Sequence, residues 1–205
     1  AIGFPFTFYG TAYNNLVIST NGFISFDAAP GAGCCTGGVL PTAGAPDNLV
    51  AFAWEDMNTG SGGTIDYFNL TAPNRFVVRW NAVSRYGGGG TIDGQIILYA
   101  DGTVEVHSIN IGAEGSTTQG VENAGGTMAT AVPGRNSAVW SAANDAYRFT
   151  PAAPSLLWDN ASLLNDATLA NPVASNVGGT TSFTVTATYQ GCTAQSSVTL
   201  TVDPA

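Results

Sequence analysis

Residues 48–56 read Asn48-Leu49-Val50-Ala51-Phe52-Ala53-Trp54-Glu55-Asp56, an apolar run closed by two carboxylates. A glycine-rich turn, Gly60 to Gly63, comes next, followed by Thr64-Ile65-Asp66-Tyr67-Phe68 and Asn74-Arg75-Phe76-Val77-Val78-Arg79-Trp80-Asn81. A short apolar run bounded by turn formers fits a buried strand, and the β-branched and aromatic residues after it favour extended backbone. The stretch predicts sheet, and the segments on either side repeat the pattern.

Phe4-Pro5-Phe6-Thr7-Phe8-Tyr9 opens the chain as a strand, with Pro5 favouring an edge. Leu16-Val17-Ile18-Ser19 and Phe23-Ile24-Ser25-Phe26 flank Thr20-Asn21-Gly22, and Asn-Gly tolerates the positive φ of a tight hairpin. Gln95-Ile96-Ile97-Leu98-Tyr99, Asp101-Gly102 and Thr103-Val104-Glu105-Val106-His107 form a second hairpin signal. Residues 27–47 hold Ala, Gly, Pro and two cysteines without periodicity and read as a long loop. Gly87 to Gly90 reads as a strand connection, because a phosphate cradle would need a helix after it.

Pro151-Ala152-Ala153-Pro154 is a short, stiff linker and sets the expected boundary between a β-sandwich module, 1–150, and a second unit, 151–205. In the second unit Ser182-Phe183-Thr184-Val185-Thr186-Ala187-Thr188 and Ser196-Ser197-Val198-Thr199-Leu200-Thr201-Val202 alternate polar and apolar around Tyr189-Gln190-Gly191. The expected class is all-β: an antiparallel sandwich followed by a short immunoglobulin-like unit. An immunoglobulin sandwich takes about 100 residues and about seven strands, so the second unit is short of strands. It packs on the first domain, is a truncated or atypical sandwich, or receives a strand from another subunit or domain.

The chain has 205 residues, enough for one large or two modest domains. Charged residues are only 9%, against about 25% in ordinary domains. The net charge of -9 repels anions, which makes nucleic acid and anionic lipid poor partners. The cations are Arg75, Arg79, Arg85, Arg135 and Arg148, with no lysine. That excludes lysine Schiff-base and general-base chemistry, a P-loop, and Lys-Asn isopeptide crosslinks. It also removes half of trypsin's targets, which suits an extracellular location, although biased composition gives the same result. No stretch approaches the roughly 18 apolar residues of a membrane helix, and no signal peptide is evident, so the chain reads as a processed product or an excerpt.

Candidate chemistry is sparse. His107 is the only histidine, and it shares a strand face with Glu105 opposite Val104 and Val106. If the valines face the core, His107 points to solvent, whereas a catalytic triad needs a buried, oriented base. Glu55 and Asp56 point to opposite faces within a strand. At a strand end they could join Asn58 as oxygen ligands for calcium, or Asp56 could cap the turn while Glu55 is solvated or pairs with an arginine. Trp54, Trp80, Trp140 and Trp158 could form a sugar-stacking platform, although tryptophan in a sandwich is more often core. Arg75 and Arg79 fall on one strand face, with Phe76 and Val78 on the other. Asn69-Leu70-Thr71 and Asn160-Ala161-Ser162 fit the N-glycosylation pattern. Cys34, Cys35 and Cys192 match no zinc spacing. A vicinal Cys34–Cys35 bridge and free or otherwise paired thiols stay open, and Cys192 reads as a half-cystine whose partner is missing.

The motifs FPFTFYG, YNNLVISTNGFISF, NLVAFAWEDM, GGTIDYF, NRFVVRWNAV, GQIILYADGTVEV and AYRFTP occur in that order. Together they resemble a β-sandwich module, distantly nidogen-like, of large secreted proteins of the Bacteroidetes and related bacteria. The tail, LANPVASNVGGTTSFTVTATYQGCTAQSSVTLTV, is similar to the immunoglobulin- or PKD-like repeats that follow such modules. The resemblance implies a type IX-secreted, extracellular or cell-surface adhesin or filament protein, with no catalytic residues to carry over. It also implies a strand with a cysteine to pair with the tail's Cys192, and that strand is absent before Ser155. The expected partners are other copies, neighbouring domains and surface glycans. A carbohydrate-binding module of a secreted enzyme is the alternative.

Overall fold

The computed structural model describes residues 1–31, 33, 36–189 and 192–202; the pairing of Cys34 and Cys35 lies outside the described residues. The chain divides into two compact units, Ala1–Pro151 and Ala152–Ala205.

The first unit is built from β1 Phe6–Phe8, β2 Thr11–Tyr13, β3 Val17–Ile18, β4 Phe23–Ser25, β5 Leu49–Trp54, β6 Thr64–Thr71, β7 Asn74–Ser84, β8 Thr91–Tyr99, β9 Val104–Ile111, β10 Thr118–Glu122, β11 Ala129–Ala131 and β12 Ala142–Phe149. β1 and β2 form a hairpin, and the others make two five-stranded antiparallel sheets ordered β11-β10-β5-β4-β3 and β12-β9-β8-β7-β6. The all-β sandwich class is what the alternating segments predict.

The core lies between the two sheets. Ile24, Val50, Phe52 and Val121 of the first sheet meet Phe76, Val78, Trp80, Ile96, Leu98 and Val106 of the second. The rings of Phe52 and Trp80 lie 4.7 Å apart, and both side chains are fully buried. Burying one side chain of this kind contributes about 1.5–3 kcal/mol. The aromatic residues of the opening hairpin extend this same core, with Phe6, Phe8 and Tyr13 packed on Phe26 at centroid distances of 5.4, 4.7 and 4.9 Å.

The uninterrupted apolar character of β5 has a structural cause, since all six of its residues are buried. Val50 and Phe52 face the inter-sheet core, whereas Leu49 and Ala51 join Phe23 and Leu40 in a second cluster on the outer side. The long loop after β4 covers that side. The register of β5 against β10 shifts between Thr118 and Gly120, and Trp54 joins the outer cluster. There its indole N–H donates to the Gly33 carbonyl at 2.8 Å. Gly38 fits against the Trp54 ring, where a Cβ would come within 2.7 Å.

The two predicted hairpins form. The second turns at Ala100–Thr103, where Gly102 takes φ +87° and Asp101 caps the Thr103 N–H at 2.9 Å. In the first, the strands close at Ser19 N–H to Phe23 C=O around Thr20, Asn21 and Gly22, and of these Gly22 takes the positive φ, +75°. Tertiary contacts hold the turn: Asn21 Oδ1 accepts from Met57 N–H at 3.0 Å, and its Nδ2 donates to the Gly33 carbonyl.

The second unit contains β13 Ser155–Trp158, β14 Thr181–Tyr189 and β15 Cys192–Leu200, an antiparallel sheet ordered β13-β14-β15. β15 begins four residues earlier than the alternation from Ser196 predicts, because the pairing starts at Tyr189 opposite Cys192. β13 has no alternating signature of its own and forms by pairing, with Leu156 and Trp158 opposite Ala187 and Val185. Among the described residues of this sheet, Phe183 is the one buried hydrophobic side chain.

Candidate functional site

β5 ends at Trp54, so Glu55 and Asp56 follow the strand rather than alternating within it. Glu55 is 5% exposed and so is Arg85, at the end of β7. Arg85 Nε donates to Glu55 Oε1 and Arg85 Nη1 to Glu114 Oε2. Arg85 Nη2 donates to the Gly112 carbonyl at 2.7 Å and to Glu55 Oε2 at 3.3 Å, and Nη1 also to the Gly89 carbonyl at 3.0 Å. Thr117 Oγ1 adds a 2.6 Å hydrogen bond to Glu55 Oε2.

The Gly87–Gly90 run takes positive φ throughout and brings the Gly89 carbonyl to the guanidinium. One buried cation thus ties together the exit of β5, the β7–β8 connection and the β9–β10 connection. An open cleft of about 230 Å³ lies over it, lined by Thr36, Asp56, Tyr86 and Glu114 among others.

This cluster places the sequence-predicted oxygen ligands plainly. Glu55 has both carboxylate oxygens engaged by Arg85 and Thr117. Asn58 caps the short helical turn Thr59–Ser61, accepting from Gly60 N–H at 2.9 Å and donating to Ser61 Oγ at 3.0 Å. Asp56 lies in the cleft wall, and its carbonyl accepts from Tyr86 N–H at 3.0 Å. Glu55 and Asn58 are therefore each held by protein partners. Among the described residues no three His, Cys, Asp or Glu side chains gather as a metal set.

His107 lies on the outer face of the second sheet, as the buried valines on either side of Glu105 require. The register runs Asp66, Arg79, Gln95, His107 across β6 to β9. His107 meets Glu105 Oε2 through Nε2 at 3.1 Å and Gln95 through Nδ1 at 3.2 Å. Glu105 also accepts from Tyr99 Oη at 3.1 Å and from Arg148 Nε at 2.9 Å. Burial pushes the Glu105 carboxyl up, but the bonds from Arg148, His107 and Tyr99 outweigh it and hold it below its ordinary range. The Tyr99 hydroxyl is pushed up by burial and by its bond to Glu105. Arg79 pairs with Asp66 at 3.2 Å on the same face, and Arg75 bonds the Ala72 carbonyl at 3.3 Å.

The tryptophans do not form a platform. Trp54, Trp80 and Trp140 are buried, and the half-buried Trp158 donates to the Leu169 carbonyl at 3.0 Å. Cys192 is a free, exposed thiol at the start of β15.

Two further polar centres have no motif to announce them. Gln119 is fully buried between the sheets, donating to the Phe52 carbonyl at 2.9 Å and to Ser108 Oγ at 2.8 Å, and accepting from Arg135 Nη1 at 2.7 Å. Glu122, also fully buried, accepts from Thr42 N–H, while its Oε2 has no hydrogen-bond partner. Burial pushes its carboxyl up, and the charge of Asp47 adds to that. Asp47 is itself raised by burial and by its hydrogen bond with Asp27. The sequence carries one signal of them: Gln119 and Glu122 sit in a short segment between glycines, where alternation is hard to phase.

No helix among the described residues is long and apolar enough to cross a membrane. No curated protein and no solved structure matches the chain. The family model described as NIDO related matches residues 1–154. The chain therefore belongs to the NIDO-related family, whose domain is an extracellular-type β module.

Proposed function

We propose that this NIDO-related chain is a non-catalytic extracellular structural or adhesive module, part of a cell-surface adhesin or filament of the type IX-secreted kind, with a PKD- or immunoglobulin-like second unit. The observation that carries the reading is that the chemically capable groups of the first unit are spent on holding it together. Arg85 and Glu55 bind each other and two further connections, His107 and Arg148 share Glu105, and three of the four tryptophans are core. Its partners are other copies and neighbouring domains, met through the three-stranded sheet of the second unit.

Electron microscopy of native material, with sedimentation of the purified chain at high concentration, tests the reading. Fibres and concentration-dependent association are expected. A monodisperse monomer at high concentration sinks the assembly reading, and turnover of glycoside or peptide substrates sinks the non-catalytic one. The carbohydrate-binding alternative loses its tryptophan platform, and a glycan array with no positive spot would remove it.

A further inference from the structure

β15 is an open sheet edge of unusual character. All nine of its residues are exposed, and its pairing with β14 is continuous from Tyr189–Cys192 to Thr181–Leu200 with no bulge. Native edges are normally blunted by a charge, a proline, a bulge or short length. Here none of these is present: from Ala167 to Val202 the chain carries no Asp, Glu, Lys, Arg or His, in a protein of net charge -9.

The strand is also two-faced. Opposite Phe183, Val185 and Ala187 it sets Val198, Ser196 and Ala194, so these share the apolar side with Leu200. Val198 and Leu200 are 55% and 42% exposed there. The other side is a hydroxyl and amide ladder, with Ser197 bonded to Thr184 at 3.0 Å and Gln195 to Thr186 at 3.0 Å.

We propose that the occupant of this edge is β15 of a second copy, paired antiparallel about a two-fold axis to make one continuous six-stranded sheet. The inference rests on the assembly reading above and names its contact. Two features select a second copy over an unrelated strand. First, an antiparallel strand pair closes on itself under two-fold symmetry, so one sequence satisfies both sides. Pairing of a residue with its own counterpart at the axis keeps the apolar residues of both copies on one side and the hydroxyl ladders on the other. Second, two copies of an acidic chain repel wherever they meet through charge, and this nine-residue edge brings no charge to the seam. The exposed Val198 and Leu200 of each copy then lie beside the partner's residues on a shared apolar face.

The test uses the full chain with Cys192→Ser as the parent. Single cysteines replace Ala194, Ser196 or Val198 in turn, and mild oxidation is followed by non-reducing electrophoresis against the parent. At most one position can sit on the axis opposite its own copy, so crosslinking concentrated at one of the three, at least fivefold over the parent, is the expected result. In parallel, Ser196→Lys and Val198→Lys, each checked for unchanged melting, should abolish association in sedimentation. Association that persists in both lysine variants, with no crosslink above the parent, overturns β15 pairing and leaves the assembly reading standing through another surface. A parent that stays monomeric overturns both. Equal crosslinking at all three positions overturns the fixed two-fold register.

Discussion

Arg85 buries its guanidinium against the carboxylate of Glu55, thirty residues earlier in the chain, with the two side chains 5% and 7% exposed. Each group compensates the other in a site that water barely reaches. Removing one partner leaves a buried, uncompensated charge, which costs about 3–5 kcal/mol. Arg85→Ala and Glu55→Ala should each lower stability by about that much, and the double variant should lose much less than the sum. Urea unfolding followed by tryptophan fluorescence measures all three. Additive losses would show that the pair is uncoupled. Glu114→Ala, at 57% exposure of its side chain, should cost under about 1 kcal/mol.

Gln119 spans the two sheets from a fully buried position. Gln119→Leu keeps the volume but leaves the Phe52 carbonyl, Ser108 and Arg135 short of a partner each. The expected loss is about 1–3 kcal/mol, read as a lower denaturation midpoint with an unchanged slope. An unchanged midpoint would mean that water replaces the amide.

The β8 residue Gly94 lies under the Phe52 ring, where an added Cβ would sit 2.4 Å from Cε2 and 2.5 Å from the His107 carbonyl. Gly94→Ala forces the sheets apart or turns Phe52, and overpacking of this kind costs about 1–3 kcal/mol. Calorimetry should find a lowered melting temperature, and near-ultraviolet dichroism should change because Phe52 packs on Trp80. A melting curve that does not move would show that the ring gives way freely.

The buried carboxyls set a pH dependence whose sign follows from their shifts. Glu122 and Asp47 are raised above their ordinary values of 4.5 and 3.8, so the folded chain holds these protons more tightly than the unfolded one. Their contribution is fully present below the unfolded values and is lost as pH rises through the folded ones. Glu122→Gln should therefore be more stable than the parent at pH 7 and show a flatter profile above pH 5. Glu105 runs the other way: its lowered carboxyl contributes above the unfolded value and loses that contribution as pH falls. Glu105→Gln should be less stable at pH 7, with the deficit closing in acid. Melting temperatures across pH 3–8 check both, and parallel profiles for parent and variants would refute the assignment.

Much of the sheet architecture is legible directly from residues. The alternation of Val104, Glu105, Val106 and His107 sets the valines inward and the histidine outward. The even spacing of Arg75 and Arg79 puts both on the outer face, and the ordered motifs from FPFTFYG to AYRFTP carry the nidogen-like resemblance. The strand-end carboxylates are legible only as a set of alternatives. Which arginine meets Glu55 depends on how far β7 runs before the glycine connection, and no local pattern encodes that distance.

By itself, the sequence determined what short-range chemistry controls: extended backbone from β-branched and aromatic residues, turns where glycine supplies positive φ, and a charge-free tail strand. Tertiary structure alone decided which groups became inaccessible. The loop after β4 folds over the outer side of β5, a register shift beside Gly120 takes Trp54 into the cluster there, and Glu122 ends fully buried. Burial on that scale arises when segments distant in sequence close over one another. The identity of a buried polar partner is therefore a property of the packed sheets, whereas the strands that carry it are a property of the chain.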